Sequence, residues 1–133
     1  MVLVDTSVII DLLQNNKNKS TELFHYILEK KIEYGISILT YQEILQGARN
    51  DDEELNLQNY LETQKIYMLP DDLSFYNEAV HLRRLLRQKG ITIRNTIDIL
   101  IAMTAIKNEL KLLHNDRDFE WIAREIEELE EYC

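Results

Sequence analysis

At 133 residues the chain has room for one ordinary domain with one buried core, and is too short for two well-built ones. Its 45% hydrophobic and 29% charged residues lie near the globular average, which excludes a disordered chain, and its longest apolar runs are far too short to span a bilayer. A formal net charge of -9 excludes nucleic-acid binding through overall positive charge.

Met1 leads straight into Val2-Leu3-Val4-Asp5 with no basic region or cleavage site. The first residues therefore read as a buried parallel strand and not a signal peptide, and the expected location is the cytoplasm. A helix is expected from about Ser7, and a second over Ser20 to Lys30, where Leu23, Ile27 and Leu28 have helical spacing and Ser20 or Thr21 is available as a cap. Tyr34 to Leu39 is the second expected strand. Glu43 to Ala48 reads as helical, and Asp51 or Asp52 opens a longer helix with Leu55, Leu57, Leu61 and Ile66 at its apolar positions. Tyr67 to Leu69 reads as a short strand and Pro70 as a break. A helix follows from about Leu73 to Gln88, ended by Gly90. Asn95 starts a largely apolar helix through Ile97, Leu100, Ile101, Thr104 and Ala105, and Lys111 to His114 is the last clear strand. Strands alternating with helices predict a parallel, doubly wound α/β sheet in a single domain over residues 1–133. The segment from Asp118 to Tyr132 stays open between a helix, carrying Phe119, Trp121, Ile122 and Ile126, and a frayed or short-strand acidic end.

Four acids fall where an apolar strand gives way to a helix: Asp5, Glu43, Asp98 and Asp116. Singly, each has a structural explanation. Thr40-Tyr41-Gln42-Glu43 has the form of a capping box, Asn95-Thr96-Ile97-Asp98 has nearly the same form, and Asp5 and Asp116 suit N-caps. Capping, however, does not require all four acids to stand beside strand ends. In an open α/β sheet those ends line one crevice, where acids from distant segments converge on a divalent cation. Mg²⁺ and Mn²⁺ take oxygen ligands and commonly one or two direct carboxylates. Such an ion lowers the pKa of water and offsets charge developing on a phosphate.

Other chemistries find less support. His25, His81 and His114 lack close metal-ligand spacing, and His114 reads as a strand-end residue. Gly35, Gly47 and Gly90 stand alone, so there is no phosphate loop, and no serine has the glycine-flanked elbow of a hydrolase nucleophile; Ser7 reads as a helix-start residue beside Asp5. Phe119 and Trp121 read as packing residues. The single cysteine, Cys133, excludes a disulfide framework and a thiolate zinc cluster. Between His81 and Arg94, Arg83, Arg84, Arg87, Lys89 and Arg94 occur without an acid, a basic strip or simply a solvated helix face.

Four segments, Val4-Asp5-Thr6-Ser7-Val8-Ile9-Ile10-Asp11, Ser37-Ile38-Leu39-Thr40-Tyr41-Gln42-Glu43-Ile44-Leu45-Gln46-Gly47, Asp98-Ile99-Leu100-Ile101-Ala102 and Asn115-Asp116-Arg117-Asp118-Phe119, together resemble the PIN domain, specifically the VapC-type toxins. The resemblance runs from Met1 to about Ile122 in the right order and spacing. It implies a PIN-like three-layer α/β/α sandwich with a central, mainly parallel sheet. It also implies a metal-dependent endoribonuclease, using Mg²⁺ or Mn²⁺, that cuts structured RNA such as tRNA or rRNA. By position, Asp5 and Asp98 match the principal metal ligands, Asp116 the acid that helps bind or orient the metal, and Glu43 the acid that completes the cluster and positions water. Asp118 matches an accessory acid, and Thr6 and Asn115 match polar residues that orient carboxylates or waters. A small antitoxin that blocks the site and a homodimer are further implications of the family.

The chain departs from the family pattern after Trp121, so the tail from about residue 123 and the final sheet edge stay open. The glutamate-rich tail repels RNA, which places a substrate groove near Arg83, Arg84, Arg87 and Arg94 or near Lys17 and Lys19. An acidic cluster without metal also repels itself, raising its carboxyl pKa values. The alternative is a PIN-fold module that holds RNA or a protein without cutting. A metal-dependent DNA nuclease of the flap type is disfavoured because the short chain has no strand-separating insertion.

Overall fold

The computed structural model describes residues 1–133. In chain order the elements are β1 (Val2–Val4), α1 (Thr6–Leu13), α2 (Lys19–Glu29), β2 (Tyr34–Ser37), α3 (Ile38–Gln46), α4 (Asp51–Leu61), β3 (Lys65–Tyr67), α5 (Leu73–Gln88), α6 (Thr96–Lys107), β4 (Lys111–Leu113), α7 (Arg117–Glu125) and β5 (Glu130–Glu131). Every strand pair is parallel, in the order β3-β2-β1-β4-β5.

Strand side chains alternate between faces, and this divides the interior into two apolar layers. Leu3 and Leu112 face Phe75 and Leu86 of α5, Ile99 and Ile101 of α6, and Phe119 and Ile122 of α7. Val2, Val4, Ile36 and Leu113 face Val8 of α1, Phe24 and Ile27 of α2, Ile44 of α3 and Leu61 of α4. The result is an α/β/α sandwich. From β1 the chain builds outward through β2 and β3 on one side and returns to add β4 and β5 on the other, so the topological switch lies between β1 and β4. Asp5 leaves the end of β1, and Asp116 follows the end of β4. No helix is long and apolar enough to cross a membrane.

Several boundaries differ from the sequence expectation because side-chain caps decide them. The second strand stops at Ser37, whose hydroxyl accepts from Leu39 N at 3.1 Å and starts α3 five residues before Glu43. Thr40 is therefore inside the helix and caps nothing, which overturns the capping-box expectation. Asn18, reciprocated by Thr21, caps α2, and Asn50 caps α4 ahead of Asp51. The third strand lies at Lys65–Tyr67, earlier than Tyr67 to Leu69. Gly90 adopts φ +85 just beyond α5. Ile91 N there returns to Leu86 O at 2.9 Å and Gly90 N to Arg87 O at 3.0 Å, closing the helix as the lone glycine predicted. The open tail resolves into both of its options in succession, α7 to Glu125 and then β5 beside β4.

Candidate active site

Asp5 is 5% exposed and caps α1. Its Oδ2 accepts from Ser7 N at 3.0 Å and from Ser7 Oγ at 2.7 Å. The same Ser7 hydroxyl accepts from Asn115 N at 3.1 Å, so one side chain ties the end of β1 to the loop after β4. Burial raises the Asp5 carboxyl, the Ser7 hydrogen bonds oppose this, and Asp116 adds repulsion.

Asp98 occupies the first turn of α6, which Asn95 caps through Ile97 N at 3.0 Å. Half-buried, it is pushed up to about 7 by desolvation and then by the charges of Asp116, Asp5, Asp118 and Glu43. Glu43, on α3, is raised by burial and by Asp5, with the Thr6 hydroxyl favouring its charged form. Thr6 Oγ1 also lies 3.0 Å from Thr40 Oγ1 in a buried hydroxyl–hydroxyl contact that joins α1 to α3. Asp116 caps α7, its Oδ1 accepting from Asp118 N at 2.9 Å. Asp118 is raised by burial and Asp116 and lowered by Arg94 and Arg117.

The expected acids Asp5, Glu43, Asp98, Asp116 and Asp118 thus act on one another at one end of the sheet. Their donors are all oxygens, the hard set that suits Mg²⁺ or Mn²⁺, and the unbalanced negative charge is what a divalent cation neutralises. No three His, Cys, Asp or Glu side chains stand together as a ready-made ligand set.

The polar accessory residues are placed differently from one another. Thr6 lies beside Glu43, whereas the Asn115 side chain turns away from the acids and donates to Asp11 Oδ2 at 2.9 Å. Asp11 also takes Asn16 and Asn18, and these hydrogen bonds hold its carboxyl below the ordinary range. The basic strip does not gather. Arg84 borders a groove between α5 and α6, Arg83 and Arg87 are exposed on α5, and only Arg94 reaches the acids, through Asp118. Lys19 borders a separate depression with His114 and Tyr132.

Sequence reasoning missed the bridging role of Ser7, although an acid two positions ahead of a serine is a local signal for it. His114 follows the end of β4, as its reading as a strand-end residue expected, but its partners were missed. Nδ1 of His114 accepts from Asp116 N at 3.1 Å, so Nε2 carries the proton and donates to Glu131 Oε2 at 2.6 Å. No local pattern announces a pairing with a residue on β5.

Residues 2–125 match the PIN domain family. The chain belongs to that family. This PIN domain is 28% identical over 125 residues to ribonuclease VapC11 of Mycobacterium tuberculosis, covering 93% of this chain and 92% of that protein. A VapC ribonuclease of Mycobacterium bovis matches to the same extent, 28% over 125 residues. Among solved structures, a toxin-antitoxin complex from Klebsiella pneumoniae superposes with TM-score 0.67 at 26% identity over 90% of each chain. VapBC2 from Rickettsia felis, crystallised with a promoter DNA fragment, gives TM-score 0.73 at 23% identity over 99% and 98% of the two chains and shares the fold. The α/β/α sandwich is the PIN architecture expected from the sequence.

Proposed function

We propose that this PIN domain is a VapC-type ribonuclease toxin that hydrolyses phosphodiester bonds in structured RNA, depends on Mg²⁺ or Mn²⁺, and is held in check by an antitoxin. The observation that carries this reading is the gathering of Asp5, Glu43, Asp98, Asp116 and Asp118 at one half-buried place, where burial first and then the charges of its neighbours push Asp98 up to about 7. The names of the relatives, ribonuclease VapC, give it a substrate class.

Asp5, Asp98 and Asp116 would hold the ion, with one or two as direct ligands and the others acting through water, since no three are preassembled. When bound, the cation lowers the pKa of water and offsets charge developing on the phosphate. Ser7 fixes the Asp5 carboxylate, and Asp116 is oriented by its place at the head of α7. Glu43, its proton affinity raised by burial and by Asp5, stands to orient or deprotonate the attacking water.

A mixed groove, with Ile10, Leu13, Ile44 and Leu57 beside Arg49 and Glu53, includes Glu43 in its lining and offers a seat from which an antitoxin segment would cover the acids. Leu73 and Val80, two turns apart on α5, are 80% and 56% exposed and supply the apolar surface a homodimer would bury. The unassembled acids also suit the second reading, a module that binds RNA without cutting.

One experiment separates the two. The protein and its Asp5→Asn variant are incubated with total cellular RNA in Mn²⁺ or EDTA, and new RNA ends are mapped by sequencing. Discrete ends made by the unaltered protein in Mn²⁺ alone support the nuclease. RNA retained but uncut under every condition supports the binding module.

A further inference from the structure

On α7, Phe119 and Ile122 point into the core, while Trp121 falls off that face and is only partly buried. Arg117, one helical turn earlier, sets its guanidinium 5.9 Å from the centre of the Trp121 ring. That contact alone is ordinary i, i+4 packing. The surroundings make it more. Trp121, Arg117 and Asp118 form one wall of an open cleft of about 790 Å³, and Gly90, Thr92 and Arg94, from the loop between α5 and α6, form the other. The volume lies within the range of small-molecule sites.

Arg94 and Arg117 are both exposed, and neither enters an ion pair within 4.0 Å. Their guanidinium donors are therefore free. Asp118 belongs both to this cleft and to the acid site, so whatever occupies the cleft lies next to the reacting centre. Two free guanidiniums beside a partly exposed indole match a phosphate linked to an unstacked base: the cations take the backbone and the aromatic takes the π face.

We propose that the cleft between Arg94 and Trp121 is a nucleotide subsite, in which one unstacked base of single-stranded RNA lies against the Trp121–Arg117 surface while Arg94 and Arg117 hold its flanking phosphates. The proposal rests on the ribonuclease reading and names where that substrate is gripped. A paired base cannot reach the indole, so the subsite selects a loop, bulge or end next to the scissile bond.

Trp121 is the only tryptophan, which makes it a direct reporter. Short oligouridylate is titrated into the protein in EDTA, where binding is read without cleavage, and the intrinsic fluorescence is followed. The expected result is saturable quenching that weakens with salt. Trp121→Ala should weaken binding by about 5- to 150-fold, read by filter retention, whereas Trp121→Phe, which keeps a stacking ring, should bind nearly as the unaltered protein does. Arg94→Ala and Arg117→Ala should weaken binding while their melting temperatures stay within a few degrees of the parent.

If RNA is bound and cleaved while Trp121 emission and the Trp121→Ala affinity are unchanged, the subsite is overturned and the ribonuclease reading stands. If RNA is neither bound in EDTA nor cut in Mn²⁺, both fall together. Quenching by an acidic peptide but not by oligouridylate also overturns the subsite, assigning the arginines to a protein partner.

Discussion

Between pH 3.8, the ordinary aspartate value, and about 7, the folded protein keeps a proton on Asp98 that the unfolded chain has already released. The native state binds more protons in that window, so the stability of the metal-free protein falls as pH rises through it. The raised carboxyls of Asp5 and Glu43 act in the same direction. Asp11 and Asp72, lowered by hydrogen bonds, act oppositely, stabilising above 3.8 and losing that contribution as pH falls. A comparison of the parent with Asp98→Asn cancels those common contributions and isolates Asp98, whose side chain makes no hydrogen bond to lose. In EDTA the variant should melt higher than the parent at pH 8 and nearly with it at pH 4. Solvent reaches the half-buried carboxyl and screens much of the effect, which leaves about 1 kcal/mol, or about 4 °C at pH 8. Adding Mn²⁺ should reverse the order, because only the parent keeps the full oxygen set and gains by mass action. A gap that stays constant with pH would show that neither burial nor the neighbouring acids raise Asp98.

At the scale of elements, the sheet is held by contacts that no periodicity announces. A methyl group on Gly35 in β2 would stand 2.5 Å from a Tyr67 ring carbon and 2.9 Å from the Lys65 carbonyl oxygen. The ring could swing aside, but the carbonyl belongs to the β3 backbone and cannot. Gly35→Ala should therefore lower the urea midpoint by the equivalent of about 1–3 kcal/mol, and an unchanged midpoint would mean that β3 moves freely. On the opposite edge β5 is two glutamates long, secured by Tyr132 N to Leu112 O at 2.9 Å, by His114 to Glu131, and by the buried Leu129. Removing residues 127–133 should cost about 1.5–3 kcal/mol for Leu129 alone, while Glu131→Gln, which retains an acceptor for His114, should cost under about 1 kcal/mol in the same urea titration. The pattern Val2-Leu3-Val4 and the apolar run of α6 were legible because burial on both sides leaves its mark on composition. Glu130–Glu131 was illegible because an edge strand needs no apolar alternation, and the end of β2 was illegible because Ile38 and Leu39 continue its apolar run while Ser37 alone turns the backbone. Of the acids, Asp5 and Asp116 do stand where a strand gives way to a helix, but Glu43 lies inside α3 and Asp98 opens α6 after a loop with no strand before it, so that expectation fails for these two; the partners of Asn115 and His114 are likewise set by tertiary position.

Over the whole molecule, a chain of net charge -9 that binds RNA must confine its cations to a small area. Arg94 and Arg117 are the cations that bear on the acid site, and the arginines of α5 lie apart from it. Two phosphate contacts to single-stranded RNA give a slope of log affinity against log salt of about -1.4, and Arg117→Ala should flatten it to about -0.7. Engagement of Arg83, Arg84 and Arg87 as well would steepen the slope beyond about -3, restoring the basic strip expected from the sequence. The same titrations carry a pH signature. In EDTA, raising the pH from 6 to 8 takes Asp98 through its value of about 7 and adds negative charge beside the bound backbone, so affinity should fall. In Mn²⁺, with affinity read from the quenching amplitude on rapid mixing, before cleavage, that fall should disappear because the cation keeps the acids ionised throughout. A loss of affinity of equal size in both buffers would place the RNA away from the acids and leave Arg94 and Arg117 as a docking surface unconnected to the chemistry.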